Sequence, residues 1–119
     1  MNDLMGFTVF RNIDQKSNIY RLSINCRLIR LSLSAVKYLG TGYVVVFLDE
    51  RKARVMVKAA DAETPNCYKL AVAGGRSNER NGIIGKHLLD ACTKVMGIGS
   101  HWGYAPEGSE GMIIFERSK

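Results

Sequence analysis

The sequence predicts a small α+β fold: a mostly antiparallel sheet or barrel with two helices, built on a β-α-β-β unit that recurs in degenerate form. Three observations predict it. Residues 28–60 hold a short helical stretch followed by two runs of strand character around a polar turn. Residues 67–117 carry the same order of features. The length of 119 residues suits one domain, 1–119, with enough interior for a single core.

The elements follow in chain order. Gly6 to Phe10 reads as a strand, separated by the polar loop Arg11 to Asn18 from a second strand, Ile19 to Asn25. In that strand Tyr20, Leu22 and Ile24 alternate with Ile19, Arg21 and Ser23, the period of a strand with one buried face. Asn25-Cys26-Arg27 turns the chain, and the apolar parity moves to Ile29, Leu31 and Leu33.

A two-turn helix then carries Val36 and Leu39 on one side. Ser32 or Ser34 supplies an oxygen to its free N–H groups, and Gly40 and Gly42 stop it, because glycine tolerates the left-handed conformation at a helix end. Tyr43 to Leu48 and Ala53 to Ala59 are rich in β-branched and aromatic residues, with Val55 and Val57 on one face and Arg54, Met56 and Lys58 on the other. Asp49 to Lys52 closes them into an antiparallel hairpin.

Asp61 to Asn66 is a polar joint containing Pro65, which cannot continue a ladder. Cys67 to Ala73 forms the next strand, and Gly74 to Gly82 a glycine-rich surface loop with Arg76 and Arg80, without a Walker or GxGxxG pattern. The longest helix is expected over Ile83 to Met96, with Ile84, Leu88, Ala91, Cys92 and Val95 as its apolar stripe, His87 at the border and Lys86, Asp90 and Lys94 outward. Gly97 and Gly99 end it; Ser100 to Ala105 is a strand, Pro106 to Gly111 a turn and Met112 to Glu116 the last strand.

Laid side by side, the halves 19–60 and 67–117 match in order. Val36 and Leu39 answer to Leu88 and to Val95 or Met96, Gly40-Thr41-Gly42 to Gly97-Ile98-Gly99, Asp49-Glu50 to Glu107 to Glu110, and Val55 to Val57 to Ile113 to Phe115.

Composition narrows the function. An apolar fraction of 46% and a charged fraction of 24% are those of a globular chain, not a disordered one. No apolar run is long enough to span a bilayer, and residues 1–10 lack the features of a secretory signal, so a soluble cytoplasmic protein without membrane contact is expected. Cys26, Cys67 and Cys92 show no CxxC or CxxH spacing and His87 and His101 lie apart, so reduced, mostly packed thiols are expected, with no metal site and no cofactor. No paired carboxylates or nucleophile motif is visible, which points away from an enzyme.

Seventeen Lys and Arg against 11 Asp and Glu leave +6, a balance that suits a polyanionic partner and also serves solubility.

Arg30-Leu31-Ser32-Leu33, Val36 to Gly40, Tyr43 to Leu48 and Arg54 to Lys58 together resemble the AbrB-like swapped-hairpin DNA-binding domains. In that family a strand of the kind R-x-I-x-I-P leads to a short helix ending in L-G and then to a hairpin. Here no proline follows the first strand, and Thr41-Gly42-Tyr43 replaces the usual Gly-Asp after the helix. The resemblance covers about a quarter of the chain. It implies a barrel of two interleaved units that touches DNA with arginines of the first hairpin, here Arg21, Arg27 and Arg30, and two halves that stand in for two subunits.

The leading expectation is a small basic DNA-binding protein, with a regulatory role as one form of it. Arg21, Arg27, Arg30, Arg51, Arg76 and Arg80 are the candidate contacts. The rival is a protein-binding module, such as a phage-type inhibitor or accessory factor, that meets an acidic partner through Trp102 and Tyr104. Pairing of two whole chains into a homodimer is the alternative to a pseudo-dimer of the two halves.

Overall fold

The computed structural model describes residues 19–73 and 79–118. The expected strand at Gly6 to Phe10, the loop after it, and Arg76 lie outside the described residues.

The chain order is β1 (Ile19–Ile24), β2 (Ile29–Leu31), α1 (Leu33–Leu39), β3 (Tyr43–Asp49), β4 (Arg54–Ala60), β5 (Tyr68–Lys69), β6 (Ala71–Val72), β7 (Arg80–Ile83), α2 (Lys86–Met96), β8 (Gly99–Tyr104) and β9 (Met112–Glu116). Among the described residues, nine strands join one antiparallel sheet in the order β5-β3-β4-β9-β8-β1-β2-β7-β6. Its two edge strands, β5 and β6, are separated only by Leu70, so one stretch of chain bonds both margins and nearly closes the sheet into a barrel. The described residues therefore form a small α+β fold, a nearly closed, barrel-like sheet with two helices.

The pairing has a two-fold pattern. Exchange β1 with β5–β6, β2 with β7, β3 with β8 and β4 with β9, and each pairing becomes another: β1·β2 becomes β6·β7, β1·β8 becomes β5·β3 and β3·β4 becomes β8·β9. The contacts β2·β7 and β4·β9 map onto themselves. Gly40 and Gly97 end the two helices alike, each with positive φ and its N–H donated four residues back, to Val36 and Thr93. That spacing sets Leu39 against Met96 and Ala35 against Cys92, all four of them buried.

The core explains the strand alternation. Leu22 and Ile24 of β1, Ile29 and Leu31 of β2, Val55 and Val57 of β4 and Ile113 and Phe115 of β9 all point into the barrel and are almost fully buried. Burying such a side chain stabilises the fold by about 1.5–3 kcal/mol. Ala35 and Leu39 from α1, and Leu88, Leu89, Cys92, Val95 and Met96 from α2, join them. β2 and β7 run in opposite directions, so the helices that follow them start from opposite ends of the sheet.

Several expectations are corrected. Leu33 does not extend β2: it opens α1 and is exposed. Neither Ser32 nor Ser34 caps that helix with its side chain; Ser32 Oγ instead accepts the Arg21 N–H at 3.1 Å, stitching the helix entry to β1. Arg80, Asn81 and Gly82 lie in strand β7, not in a loop. The strand continues through Ile83, and α2 starts only at Lys86, so Ile84 falls off the apolar stripe and is exposed.

The strand expected over Cys67 to Ala73 is split at Leu70, whose N–H bonds Gly42 O at 2.8 Å as the chain passes from one margin to the other. Of the thiols only Cys92 is buried; Cys26 is exposed and Cys67 partly so. Among the described residues no helix is long and apolar enough to cross a membrane.

Candidate nucleic-acid interface

Antiparallel register decides which side chains share a face, because directly opposed residues point the same way. Ser23 opposes Arg30 and Arg30 opposes Gly82. Arg21 lies two residues from Ser23, so Arg21 and Arg30 occupy the outward face of β1 and β2; Arg80 opens the adjacent strand β7, where the register with β6 shifts between Ala71 and Val72. All three are exposed. At ~4.8 Å between strands, β1 and β7 stand about 10 Å apart with β2 between them.

Local chemistry fixes Arg27 and Arg30. Asn25 Oδ1 accepts the N–H of Arg27 at 2.7 Å and of Leu28 at 2.9 Å, and the Asn25 N–H donates to Leu28 O at 3.2 Å. This tight Asx turn holds Arg27 at the tip of the β1–β2 hairpin. Arg30 leans across β7 so that Nη2 donates to Ala73 O at 3.5 Å. Beneath that face, buried Asn81 donates to Leu31 O at 2.8 Å and ties β7 to the end of β2.

Arg51 sits elsewhere. It belongs to the β3–β4 turn, where Asp49 Oδ1 accepts the Lys52 N–H at 3.2 Å and Ala53 takes φ 51°. β1 and β3 run in the same direction through the sheet, so the Arg27 and Arg51 turns leave from the same end, four strands apart.

Trp102 opposes Arg21 on β8 and is 56% exposed; Tyr104, two residues on, is 39% exposed. Both therefore lie on the same outer surface as the arginines. Periodicity alone leaves Trp102 between core and surface, and its cross-strand partner Arg21 is what assigns it.

Sequence reasoning misses Arg54 and the residues around it. Arg54 Nη2 bonds Asp49 Oδ2 at 2.8 Å, and that bond, with the Lys52 N–H, holds the Asp49 carboxyl below its usual range. A groove of about 210 Å³ lies against this pair, lined also by Phe47, Leu48, Met56 and Ile114. The signal for it is parity: Met56 falls on the outward face of its strand, and an outward methionine opposite an outward phenylalanine is an apolar surface.

Among the described residues no cluster of His, Cys, Asp and Glu is arranged to hold a metal ion. No family model matches the chain, no curated protein is similar to it, and no solved structure matches its fold.

Proposed function

We propose that the protein binds DNA through the outer face of β1, β2 and β7 and the β1–β2 turn. The observation that carries this reading is that exposed Arg21 and Arg30 share the outward face of paired strands, with Arg27 at the turn between them and exposed Arg80 on the adjacent strand β7. Charge distribution adds to it. Residues 19–60 hold eight basic side chains, Arg21, Arg27, Arg30, Lys37, Arg51, Lys52, Arg54 and Lys58, against Asp49 and Glu50 alone. The stretch 67–117 is nearly balanced, with Lys69, Arg76, Arg80, Lys86, Lys94 and Arg117 against Glu79, Asp90, Glu107, Glu110 and Glu116. The basic excess thus belongs to the first half of the chain, and the two halves act as counterparts of two subunits of unequal charge.

The arginines neutralise phosphates and release counterions, so affinity falls as salt rises. They position the duplex; base readout is a separate matter. In the binding step Arg21, Arg30 and Arg80 bridge successive phosphates across the strands, while Arg27 reaches past the hairpin tip.

Fluorescence anisotropy with a labelled duplex, titrated at about 50 and 200 mM salt, tests the reading. Arg27→Glu with Arg30→Glu is expected to weaken binding at least tenfold. Duplex affinity that does not respond to salt or to these changes contradicts it.

The rival reading, a protein-binding module, is favoured by the exposed Trp102 and Tyr104.

A further inference from the structure

Trp102 stands on the outward face of β8, more than half exposed, and the register says what surrounds it. Arg21 of β1 opposes it on one side and Glu116 of β9 on the other. Glu116 in turn opposes Arg54 and acts on its charge, so the side of the indole towards β1 is left positive. In the next row Ser100 opposes Ser23, with their hydroxyls 3.4 Å apart, and Ser23 opposes Arg30.

We propose that Trp102 and Arg21 form a seat for an unpaired nucleotide, so that the DNA bound on this face is single-stranded where it crosses β8. The inference rests on the DNA reading and names the form of DNA that the face takes. A base inside a duplex has both flat faces covered by its neighbours in the stack. An exposed indole can stack only on a base that is unpaired, and every base then offers a suitable face. Directly opposed residues have Cβ atoms about 4.5–5.5 Å apart. One nucleotide spans that step, with its base on Trp102 and its phosphate on the Arg21 guanidinium.

Spacing along β8 points the same way. Trp102 and Tyr104 are two residues apart on one face, roughly 6.8 Å at about 3.4 Å per residue. Bases along one strand of a duplex follow one another at about 3.4 Å. Consecutive bases therefore reach both rings only on an extended strand. Shape agrees as well: the outer side chains of a barrel-like sheet diverge, and a flexible strand follows such a surface from β8 to β2 where a stiff duplex does not.

Trp102 is the chain's single tryptophan, so its emission reports on the seat directly. The test sets a labelled oligothymidylate of about 12 nucleotides, within the range one binding fold covers, against a duplex of the same length, both at low salt and with the full chain. The single strand is expected to quench Trp102 emission to saturation, and the duplex to bind without that quench. Trp102→Ala is expected to weaken single-strand binding by at least about fivefold and to leave affinity for the duplex unchanged, while Trp102→Phe restores most of the loss. Binding of the single strand alone also supports the inference and confines the face to unpaired DNA. Salt-sensitive duplex binding, with single-strand affinity unmoved by Trp102→Ala, leaves the DNA reading standing and overturns this one, handing the exposed ring to a protein partner. Equal loss on both forms overturns it too, because the ring then distinguishes no unpaired base. No binding to either form overturns both readings.

Discussion

Gly103 shows how tightly one residue can be specified. A Cβ built there would stand 2.5 Å from Phe115 Cδ1 and 2.6 Å from Ile114 O, so β8 can lie against β9 only where no side chain intervenes. Gly103→Ala is expected to destabilise the protein by about 1–3 kcal/mol or more, because overpacking here must displace backbone; a denaturant titration measures it.

His101 is also fixed by its surroundings: Nδ1 accepts the Ser118 N–H at 3.0 Å, which leaves Nε2 to donate to Gly97 O at 2.7 Å. The ring thus ties Ser118 to the close of α2, and His101→Ala is expected to cost about 1–3 kcal/mol through the carbonyl and N–H it leaves unpaired.

The thiols differ in reach: burial pushes Cys92 up to about 11, while Cys26 is exposed. In the folded protein at pH 8 a thiol reagent is expected to label Cys26 quickly and Cys92 only after unfolding, as mass spectrometry after timed quenching would show. A raised Cys92 value means its contribution is complete below the ordinary thiol range and is lost as pH rises towards 11.

At the scale of elements, the helix stops are the clearest case of sequence dictating structure. Gly40 has φ 68°, and nothing lies within 4 Å of where its Cβ would be. Gly40→Ala therefore carries only the conformational cost, about 1 kcal/mol, and Gly40→Asn less, since asparagine tolerates the left-handed region. The difference from Gly103 separates conformation from packing. The hairpins and the alternation of β1, β4 and β9 are legible in the sequence because one face of each is buried, and a period of two records that directly.

The start of α2 is not. Ile83 and Ile84 extend the apolar spacing of the helix backwards, but the local signal cannot distinguish a buried strand end from a helical turn; pairing of Ile83 with Ile29 decides for the strand. Leu33 misleads for the opposite reason: it keeps strand parity with Ile29 and Leu31, yet the chain has already turned into α1.

For the whole molecule, local pattern supplies the strands and not their neighbours. Arg21 and Trp102 are far apart in sequence and face each other only because β1 pairs with β8, and the same holds for Arg30 and Gly82 across β2 and β7. Grouping Arg21, Arg27 and Arg30 on one hairpin is within reach of the sequence, since they bracket a tight turn. Adding Arg80 and separating Arg51 requires the barrel.

The direct test of DNA binding by the β1-β2-β7 face is the salt dependence of affinity for a duplex, compared between the unaltered protein and an Arg21→Ala, Arg30→Ala, Arg80→Ala variant, with Lys86→Ala, Lys94→Ala as the control. Removing one arginine from a phosphate should lower the slope of log affinity against log salt by about 0.9, so the triple variant should fall short by close to three such units and the control by little. Equal slopes for all three proteins, or no measurable binding of the unaltered protein at low salt, would contradict it.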